Sequence, residues 1–410
     1  MAELSFLPVL LGSDANVYGM ARSFHEAYGV RSLAVSKTIY TPTADTKIID
    51  FSLEPNLENP ERFVQKLIEV KREHPDRELL LVPCSDGYVE LLVRFQEELR
   101  AYYTFNCPTQ EALEKLTRKE SFYEVCEAAG FRYPRTEIVT CENYRTKELS
   151  FPFPVVVKAS NSVTYYQCSF PGKKKVFVAQ DRAEYDRILA AIYSSEYRDH
   201  MTIQEFIPGD DTYMRVLNCY CGRDGKVKLM ALGHPLLEDH TPGGIGNYTA
   251  ILSTCDRELL ERFRSLLEGI GWTGFVNFDM KYDMRDGEYK LFETNPRQGR
   301  SSYFVTASGY NLAKWLVDDV IENRELPLTI DDAEHLWVQV PKQIIYRYLH
   351  DDVLRREVKR LIHEGKCTHS LFYKEDLKFS RWAKLELGQL NHFRKYRKYY
   401  GKKGMDENGQ

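Results

Sequence analysis

The sequence predicts an α/β domain with a parallel sheet, followed by a longer α+β region. Short apolar strands alternate with helical segments over residues 7–101, an order that builds a parallel sheet covered by helices. Farther on, the valine-rich stretch Phe151 to Lys158 and the stretch Gly274 to Ser302 have strand patterns bounded by proline, glycine and asparagine turns. Strands of that kind, mixed with helices, favour antiparallel sheets in the second region.

The first predicted domain begins with an apolar strand from Leu7 to Leu11, the turn Gly12-Ser13-Asp14 and a helix from about Val17 to Tyr28. The pattern lacks the glycine spacing of a dinucleotide-binding turn. Ligands of parallel sheets bind beyond the carboxyl ends of the strands. The polar residues expected there are Ser13, Asp14, Ser85 and Asp86. The further predicted strands are Ser32–Val35, Lys47–Phe51 and Leu79–Pro83, and the helices between and after them are Pro60–His74 and Tyr88–Ala101.

Several lysines are candidates for phosphate contacts in the next segment. A helix is predicted from Gln110 to Gly130 and contains Lys119. In the stretch Phe151 to Lys158, two prolines precede a buried strand of three valines that ends at Lys158, and a turn of small residues follows it, which suits a point charge that holds a phosphate. The basic run 173–175 lies in the following loop. Solvated surface lysines remain the alternative for all of them.

The stretch from Ile203 to Gly209 reads as an extended segment that ends at a Pro-Gly turn and is followed by Asp210 and Asp211. Its backbone can offer a donor and an acceptor to an adenine edge, and a following carboxylate can accept ribose hydroxyls. A strand with Arg215 comes next. The glycine-rich stretch from Gly233 to Tyr248 is predicted to be a loop beside the site.

The stretch from Gly274 to Ser302 is predicted to form a strand hairpin with a metal site. Asn277, Asp279 and Lys281 alternate with the apolar residues Val276, Phe278, Met280 and Tyr282, so Asp279 points away from the core. On the second strand, Tyr289, Leu291, Glu293 and Asn295 are predicted to share one face. Carboxylate and amide oxygens are ligands that Mg²⁺ takes beside nucleotide phosphates.

The hairpin also permits a test of parity. Directly opposite residues of an antiparallel pair share a face, so Asp279 meets Glu293 or Asn295 only if the connection has an odd number of residues or a strand contains a bulge. A two-residue turn at Asp286-Gly287 would instead pair Asp279 with Thr294. We expect the odd connection. The alternative is an exposed hairpin with ordinary charges, but Arg297 and Arg300 follow directly and favour a site for several negative charges.

The composition is typical of a globular protein and argues against several other classes of protein. Hydrophobic residues make up 43% and charged residues 28% of the chain, which is ordinary for a globular protein with sizeable cores. The net charge of -4 argues against a nucleic-acid-binding protein. No stretch approaches the length of a membrane span, and the amino terminus lacks the pattern of a signal peptide. We therefore expect a cytoplasmic protein whose nine cysteines are reduced.

Basic and aromatic residues interleave from Phe379 to Lys403, after a predicted helix from Tyr310 to Glu322. Such a segment can contact an anionic substrate or a membrane surface weakly. The alternative is a solvated basic helix.

The order of these motifs resembles the ATP-grasp superfamily. The series consists of the strand lysine Lys158, then QEFIPGDD, then NFD and LFETNPR. A closer resemblance is to the D-aspartate ligases of peptidoglycan cross-bridge synthesis. It is carried by the segments PVLLGSDANVYGMARSFHEAYG, SFYEVCE, MRVLN, GHPLLED, IGNY and RQGRSS. The resemblance covers about Pro8 to Lys314.

The resemblance implies a domain division and a set of roles. A Rossmann-like domain (1–118) would precede an ATP-grasp domain (119–325), and an extension (326–410) would follow. The ATP-grasp domain would clamp ATP between a smaller lid (119–205) and a larger catalytic subdomain (206–325). The implied metal ligands, for two Mg²⁺ or Mn²⁺ ions, are Asp279, Glu293 and Asn295. The implied ATP contacts are Lys119 and Lys158 for phosphates, Gln204 and Ile207 for adenine, and Asp210 or Asp211 for ribose. Arg297 would stabilise the acyl phosphate and the tetrahedral intermediate, with Arg215 and Arg300 nearby.

The implied reaction transfers the γ-phosphate of ATP to a carboxylate and then forms an amide by attack of an amine. In the family the acid is D-aspartate, and the amine is a lysine side chain of a peptidoglycan precursor. Two alternatives stay open: an ATP-grasp ligase for another amino acid or peptide, and a nucleotide-binding regulator without catalysis. In this chain the segment 161–171 contains no glycine, whereas many ATP-grasp proteins have a glycine-rich loop over the phosphates.

Overall fold

Three β-sheets organise the protein. The computed structural model describes residues 6–160 and 162–401. The side chains of Lys119, Glu120, Ser162 and Val163 also lie outside the described part. One parallel sheet and two largely antiparallel sheets follow one another along the chain.

The first sheet is parallel throughout, with strand order β3-β2-β1-β4, as the alternating pattern predicted. Asp14 caps α1 by accepting hydrogen bonds from Asn16 N and Val17 N, and Gly29 ends the helix in the left-handed conformation. The elements are β1 (Phe6–Leu11), α1 (Ala15–Tyr28), β2 (Ser32–Ser36), β3 (Ile49–Leu53), α2 (Pro60–Glu73), β4 (Glu78–Pro83), α3 (Asp86–Arg94) and α4 (Gln96–Leu99).

The single helix predicted from Gln110 to Gly130 is in fact two helices. They are α5 (Gln110–Thr117) and α6 (Lys119–Ala128). Arg118 between them has extended backbone angles of φ -82° and ψ 131°. The apolar periodicity of the sequence continues across Arg118, so it did not reveal that this one residue is extended.

A small four-stranded antiparallel sheet comes next, with strand order β5-β8-β6-β7. Its inner face packs on α8 through buried side chains such as Val157, Leu189 and Ile203. The elements are β5 (Thr136–Val139), β6 (Val155–Ala159), α7 (Ser162–Gln167), β7 (Val176–Ala179), α8 (Arg182–Tyr193) and β8 (Met201–Glu205).

The large sheet contains the hairpin predicted to hold the metal site. The stretch Gly233 to Tyr248 was predicted as a loop, but its first part is strand: β10 continues to Glu238 and leaves a loop only at 239–247. Register irregularities between Pro235 and Glu238 accommodate the proline. The elements are β9 (Met214–Cys221), β10 (Val227–Glu238), β11 (Tyr248–Thr254), α9 (Arg257–Gly269), β12 (Gly274–Asp283), β13 (Glu288–Asn295), α10 (Tyr303–Ala307) and α11 (Leu312–Val320).

The carboxyl-terminal segment completes the large sheet. Its elements are β14 (Thr329–Ile330), β15 (Leu336–Val338), α12 (Lys342–Tyr348), α13 (Asp352–His363), β16 (Cys367–His369) and α14 (Phe379–Tyr399). The strand order is β13-β12-β9-β10-β11-β15-β16, and β14 pairs with β10. These strands belong to the same sheet as the hairpin. The domain division at 118, 205 and 325 stays a prediction.

The helices of the first sheet pack on the large sheet in one apolar core. Phe24 of α1 belongs to the same buried cluster as Tyr303 of α10, Leu316 of α11 and Trp337 of β15. All nine cysteines are free thiols, as predicted. No helix within residues 6–401 has both the length and the apolar character that crossing a membrane requires.

A buried ion pair connects the start of α14 to the first sheet. Asp376 and Arg381 are 0% and 1% exposed, and Arg381 Nε lies 3.1 Å from Asp376 Oδ2. Tyr18 Oη donates to the same carboxylate at 2.7 Å, and Arg381 donates to the carbonyl oxygens of Pro42 and Ala44. The pair therefore holds three distant segments of the chain together.

Replacing Asp376 by asparagine is expected to lower the free energy of unfolding by about 3 kcal/mol, because it leaves the buried guanidinium without its counter-charge. Thermal and urea unfolding check this value. Asp352→Asn, at an exposed helix start, serves as control and should change stability little. An Asp376→Asn protein as stable as the parent would contradict a stabilising role for the pair.

Candidate active site

The hairpin β12–β13 brings the predicted metal ligands together. Asp279 lies directly opposite Glu293, and Asn277 lies opposite Asn295. The turn between the strands has four residues, 284–287, an even number. The register instead shifts between Asp279 and Met280, which pairs with Leu291, so that Phe292 has no partner and forms a bulge. The odd connection that we expected is therefore wrong, and the bulge produces the same pairing.

The bulge also corrects the predicted faces of β13. Leu291 is buried in the apolar core with Met280, and Tyr289 packs against the same core. Glu293 and Asn295 instead join Asp279 on the other face of the sheet. One extra residue thus separates the core-forming half of the strand from its polar half.

The polar side chains around Asp279 form a hydrogen-bonded group. Asn295 Nδ2 donates to Asp279 Oδ2 at 3.1 Å and to Asn277 Oδ1 at 3.0 Å. Tyr248 Oη donates to Asp279 Oδ1 at 2.9 Å. Burial, and then the negative charge of Glu293, raise the pKa of Asp279 to about 7. Two repelling carboxylates with an amide oxygen beside them form a donor set that suits a divalent cation such as Mg²⁺.

Arg297 connects this group to the first sheet. Its Nη2 donates to Asn295 Oδ1 at 3.1 Å, and its Nε lies 3.1 Å from Asp86 Oδ1. Asp86 begins α3, directly after the carboxyl end of β4. One of the polar residues expected at that edge of the parallel sheet therefore reaches the site.

The loop that carries Arg297 is fixed on both sides by residues that the sequence did not single out. Asn16 Nδ2 donates to the carbonyl oxygens of Cys84 and Gln298, at 3.0 and 2.9 Å. Gly299 N donates to Asn218 Oδ1 at 2.9 Å. A Cβ atom on Gly299 would come within 3.0 Å of Asn277 Nδ2, so this close approach favours glycine.

A cavity of about 880 Å³ lies between the small sheet and the hairpin. Its lining contains charges of both signs. Four lysines line it together with the carboxylates Asp86, Glu90 and Glu293, and Gln204 and Asn295 are also part of the lining. The lysines are Lys158, Lys173, Lys174 and Lys175. The volume is suited to a ligand of nucleotide size, and the lysines favour an anionic one.

Ile207 and Asp210, two other predicted ATP contacts, are not part of this lining. Ile207 is buried, and its carbonyl oxygen accepts a hydrogen bond from Lys281 Nζ at 2.9 Å. Asp210 accepts hydrogen bonds from the backbone and hydroxyl of Thr212. Lys119 is the first residue of α6, and its side chain lies outside the described part of the chain.

Two predicted side chains are turned away from the cavity. Asp211 is buried, 2.8 Å from His240 Nε2 and 2.9 Å from the backbone nitrogen of Glu238, so its placement does not support a ribose contact. Arg215 lies opposite Met280, on the other face of the sheet from Asp279. It donates to the carbonyl oxygens of Thr212 and Met214. The expectation that Arg215 lies near Arg297 and Arg300 is therefore wrong.

A smaller polar pocket of about 130 Å³ adjoins the cavity at Glu293 and Asn295, which line both. Arg300 lies in its lining and donates to Asn247 Oδ1 at 3.1 Å. Lys175 also lines both spaces. Trp337 and Gln339 add side chains from the carboxyl-terminal segment, which sequence patterns had not connected to the site. Glu293 thus lies where the large lysine-lined space meets the small polar one, and Asp279 lies opposite it in the lining of the small pocket.

Comparison with known proteins identifies the family. No family model matches the sequence. Over 409 residues the chain is 42% identical to the D-aspartate ligase of Enterococcus faecium (strain Aus0004), an alignment that covers 96% of this chain and 97% of that protein. The chain belongs to the D-aspartate ligase family. This D-aspartate ligase family member is therefore an enzyme that forms carbon–nitrogen bonds, an ATP-dependent ligase of the kind that the motifs predicted.

Solved structures resemble this family member in fold. The ADP complex of an N5-carboxyaminoimidazole ribonucleotide synthetase superposes with a TM-score of 0.58 at 15% identity, covering 87% of this chain and 86% of that one. An L-amino acid ligase from Bacillus licheniformis gives a TM-score of 0.54 at 14% identity, covering 78% and 75%. These likenesses confirm the predicted ATP-grasp fold.

Proposed function

We propose that this enzyme joins the β-carboxylate of D-aspartate to the lysine side-chain amine of a peptidoglycan precursor, at the expense of ATP. The observation that carries the proposal is the position of Glu293 at the junction of the two pockets, directly opposite Asp279 in the lining of the smaller one. A nucleotide in the larger space and an amino acid in the smaller one would meet beside these carboxylates and Arg297. The amino acid itself follows from the family.

The residues of the large cavity fit ATP with Mg²⁺. Lys158 and the lysines 173–175 give positive charge for the phosphates, and we keep Gln204 as the contact near adenine. The oxygens of Asp279, Glu293 and Asn295 fit Mg²⁺, or Mn²⁺ by the same oxygen chemistry, and we expect two ions. When bound, the metal supplies positive charge that offsets the repulsion between phosphate and carboxylate.

The proposed chemistry has two steps. The γ-phosphate passes to the β-carboxylate of the amino acid, which forms an acyl phosphate and ADP. The amine then attacks the acyl carbon, the amide forms and phosphate leaves. Arg297 stabilises the negative charge in both steps, because its planar fork can hold two oxygens together. Asp86 and Asn295 hold the guanidinium in place for this role.

We assign the smaller pocket to the amino acid. Its volume of about 130 Å³ suits a molecule of that size, and its polar lining suits one with several charges. Arg300 is exposed to the pocket, within hydrogen-bond distance of Asn247. We place its guanidinium on the α-carboxylate of the substrate.

Arg300→Gln is expected to raise the KM for the amino acid about tenfold to a hundredfold and to change kcat much less, because it removes a charged contact made equally in the bound and transition states. Steady-state phosphate release at varied amino acid concentration measures both constants. Arg324→Gln, an exposed arginine paired with Asp318, serves as control. An unchanged KM would remove Arg300 from the pocket assignment.

The substrate test measures phosphate release from ATP and Mg²⁺ with a panel of D- and L-amino acids and a lysine-containing UDP-linked muramoyl pentapeptide. Release that requires both D-aspartate and the pentapeptide supports the proposal. Release with another acid would assign the same site to a different carboxylate–amine ligation. ATP binding without release under any combination would contradict the proposed reaction.

A further inference from the structure

The last helix, α14, has two faces of different character. Its inner face is buried through Arg381, Leu385 and Tyr396. Arg381 connects its first turn to the loop that contains Pro42 and Ala44. Tyr396 Oη donates to the carbonyl oxygen of Glu238 at 2.8 Å near the other end. The helix is therefore fixed to the body of the protein at both ends.

The outer face exposes a row of large apolar side chains. At 100° per residue these side chains fall within an arc of about 140°, and the row extends for about 21 Å along the helix. Folded proteins expose continuous apolar areas of this kind mainly where they bind another surface. The exposed fractions are 81% for Phe379, 43% for Trp382, 67% for Leu387, 63% for Leu390 and 41% for Phe393.

Cationic side chains accompany this row. From Phe379 to Tyr399 the sequence has six lysines and arginines and a single acidic residue, Glu386, although the whole chain carries a net charge of -4. Arg394 and Arg397 are exposed, and within residues 6–401 neither forms an ion pair with a described carboxylate. The sequence continues with Lys402 and Lys403. The same rotation places Arg394, Arg397 and Glu386 within the arc of the apolar row, so positive charge lies among its side chains and exceeds the single negative charge.

We propose that the outer face of α14 docks on a lipid bilayer with anionic headgroups. Phenylalanine, tryptophan and leucine side chains on one face of a helix, with lysine and arginine beside them, form the pattern that lies in a membrane interface. The apolar row enters the boundary between headgroups and acyl chains, while the cations bind lipid phosphates. A second copy of this chain fits the face less well, because each helix has six cations and one carboxylate, and pairing two of them brings together two segments of net positive charge.

Docking of this kind does not require the residues of the active site. Tyr396 separates the outer face from Thr249, with which its hydroxyl shares a hydrogen bond of 2.6 Å. Thr249 follows Tyr248, which donates to Asp279. Substitutions on the outer face are therefore expected to leave ligase activity in solution unchanged.

The experiment is co-sedimentation of the full chain with phosphatidylcholine vesicles, with and without phosphatidylglycerol, at low and high salt. Binding is expected only to the vesicles with phosphatidylglycerol and is expected to weaken with salt. Arg394→Gln with Arg397→Gln should reduce the partition coefficient about fivefold for each cation removed. Leu387→Gln with Leu390→Gln should reduce it by at least about tenfold. Trp382 fluorescence should shift to shorter wavelength when the protein binds.

Matched controls replace exposed residues elsewhere. Leu53→Gln with Val353→Gln removes exposed apolar side chains, and Lys314→Gln with Arg356→Gln removes exposed cations. Both control pairs should bind vesicles like the parent protein. Failure of the parent to bind anionic vesicles would overturn the proposal, and so would equal binding by the Arg394/Arg397 variant. A dimer in solution that the Leu387/Leu390 variant dissociates would assign the face to a second copy instead.

Discussion

Replacing Glu293 by glutamine is expected to lower kcat by about three orders of magnitude or more. The change is nearly isosteric but removes one of the two carboxylate charges that lie opposite each other in the hairpin. A neutral amide oxygen binds a divalent cation less strongly, so the phosphates would lose part of the charge that offsets their repulsion. Phosphate release at saturating ATP, Mg²⁺, amino acid and pentapeptide measures the effect.

The fold should survive this substitution. Glu293 is exposed, and its charge helps to raise the pKa of Asp279 to about 7, so its removal relieves a repulsion. We expect the melting temperature of Glu293→Gln to equal or exceed that of the parent. Glu288→Gln, an exposed glutamate at the start of β13, is the matched control and should retain activity. Near-normal turnover by Glu293→Gln would refute the metal assignment.

Replacing Arg297 by lysine is expected to lower kcat about a hundredfold to a thousandfold, nearly as much as replacement by alanine. The guanidinium contacts Asn295 with one nitrogen and Asp86 with another. A lysine ammonium is a point charge and cannot keep both contacts while facing two oxygens of the reacting group. The expected decrease in kcat is therefore caused more by the lost two-point geometry than by a change in net charge.

Steady-state kinetics for both Arg297 variants check this expectation, with Arg324→Lys as control. The decrease should appear in kcat, because the proposed interaction strengthens as charge develops. If lysine restores the activity that alanine removes, a positive charge alone is sufficient and the proposed two-point contact is wrong. Circular dichroism and thermal unfolding confirm that each variant is folded before the rates are compared.

The sequence was sufficient to predict the pairing of the proposed metal ligands but not its cause. Alternation placed Asp279 away from the core, and parity showed that an odd connection or a bulge must exist. Phe292 is an ordinary strand residue by type, so nothing in the pattern marks it as the bulge. The parallel sheet was equally predictable, because strands that alternate with helices form a parallel sheet, and only a few strand orders are compatible with such connections.

The remaining parts of the site depend on contacts between residues distant in the chain. The family resemblance placed Arg215 near Arg297, but its face is set by the pairing of β9 with β12. Asp211 binds His240, 29 residues later. Trp337 and Gln339 reach the small pocket only because β15 joins the edge of β11. Periodicity describes a single element and carries no information about such neighbours.

The bulge at Phe292 separates the chemistry of the hairpin from the length of its turn. The pairing of Asp279 with Glu293 is determined within the strands, so residues 284–287 do not set it, and their own contacts, such as the ion pairs of Arg285 with Asp283 and Glu205, lie at the far end of the hairpin. A peptide tag or fluorescent reporter could therefore be inserted between Arg285 and Asp286 to follow the protein in cells. Deleting Phe292 alone would remove the bulge and leave Asp279 opposite Glu293 in a regular ladder, so the pairing of the two carboxylates should survive this deletion as well.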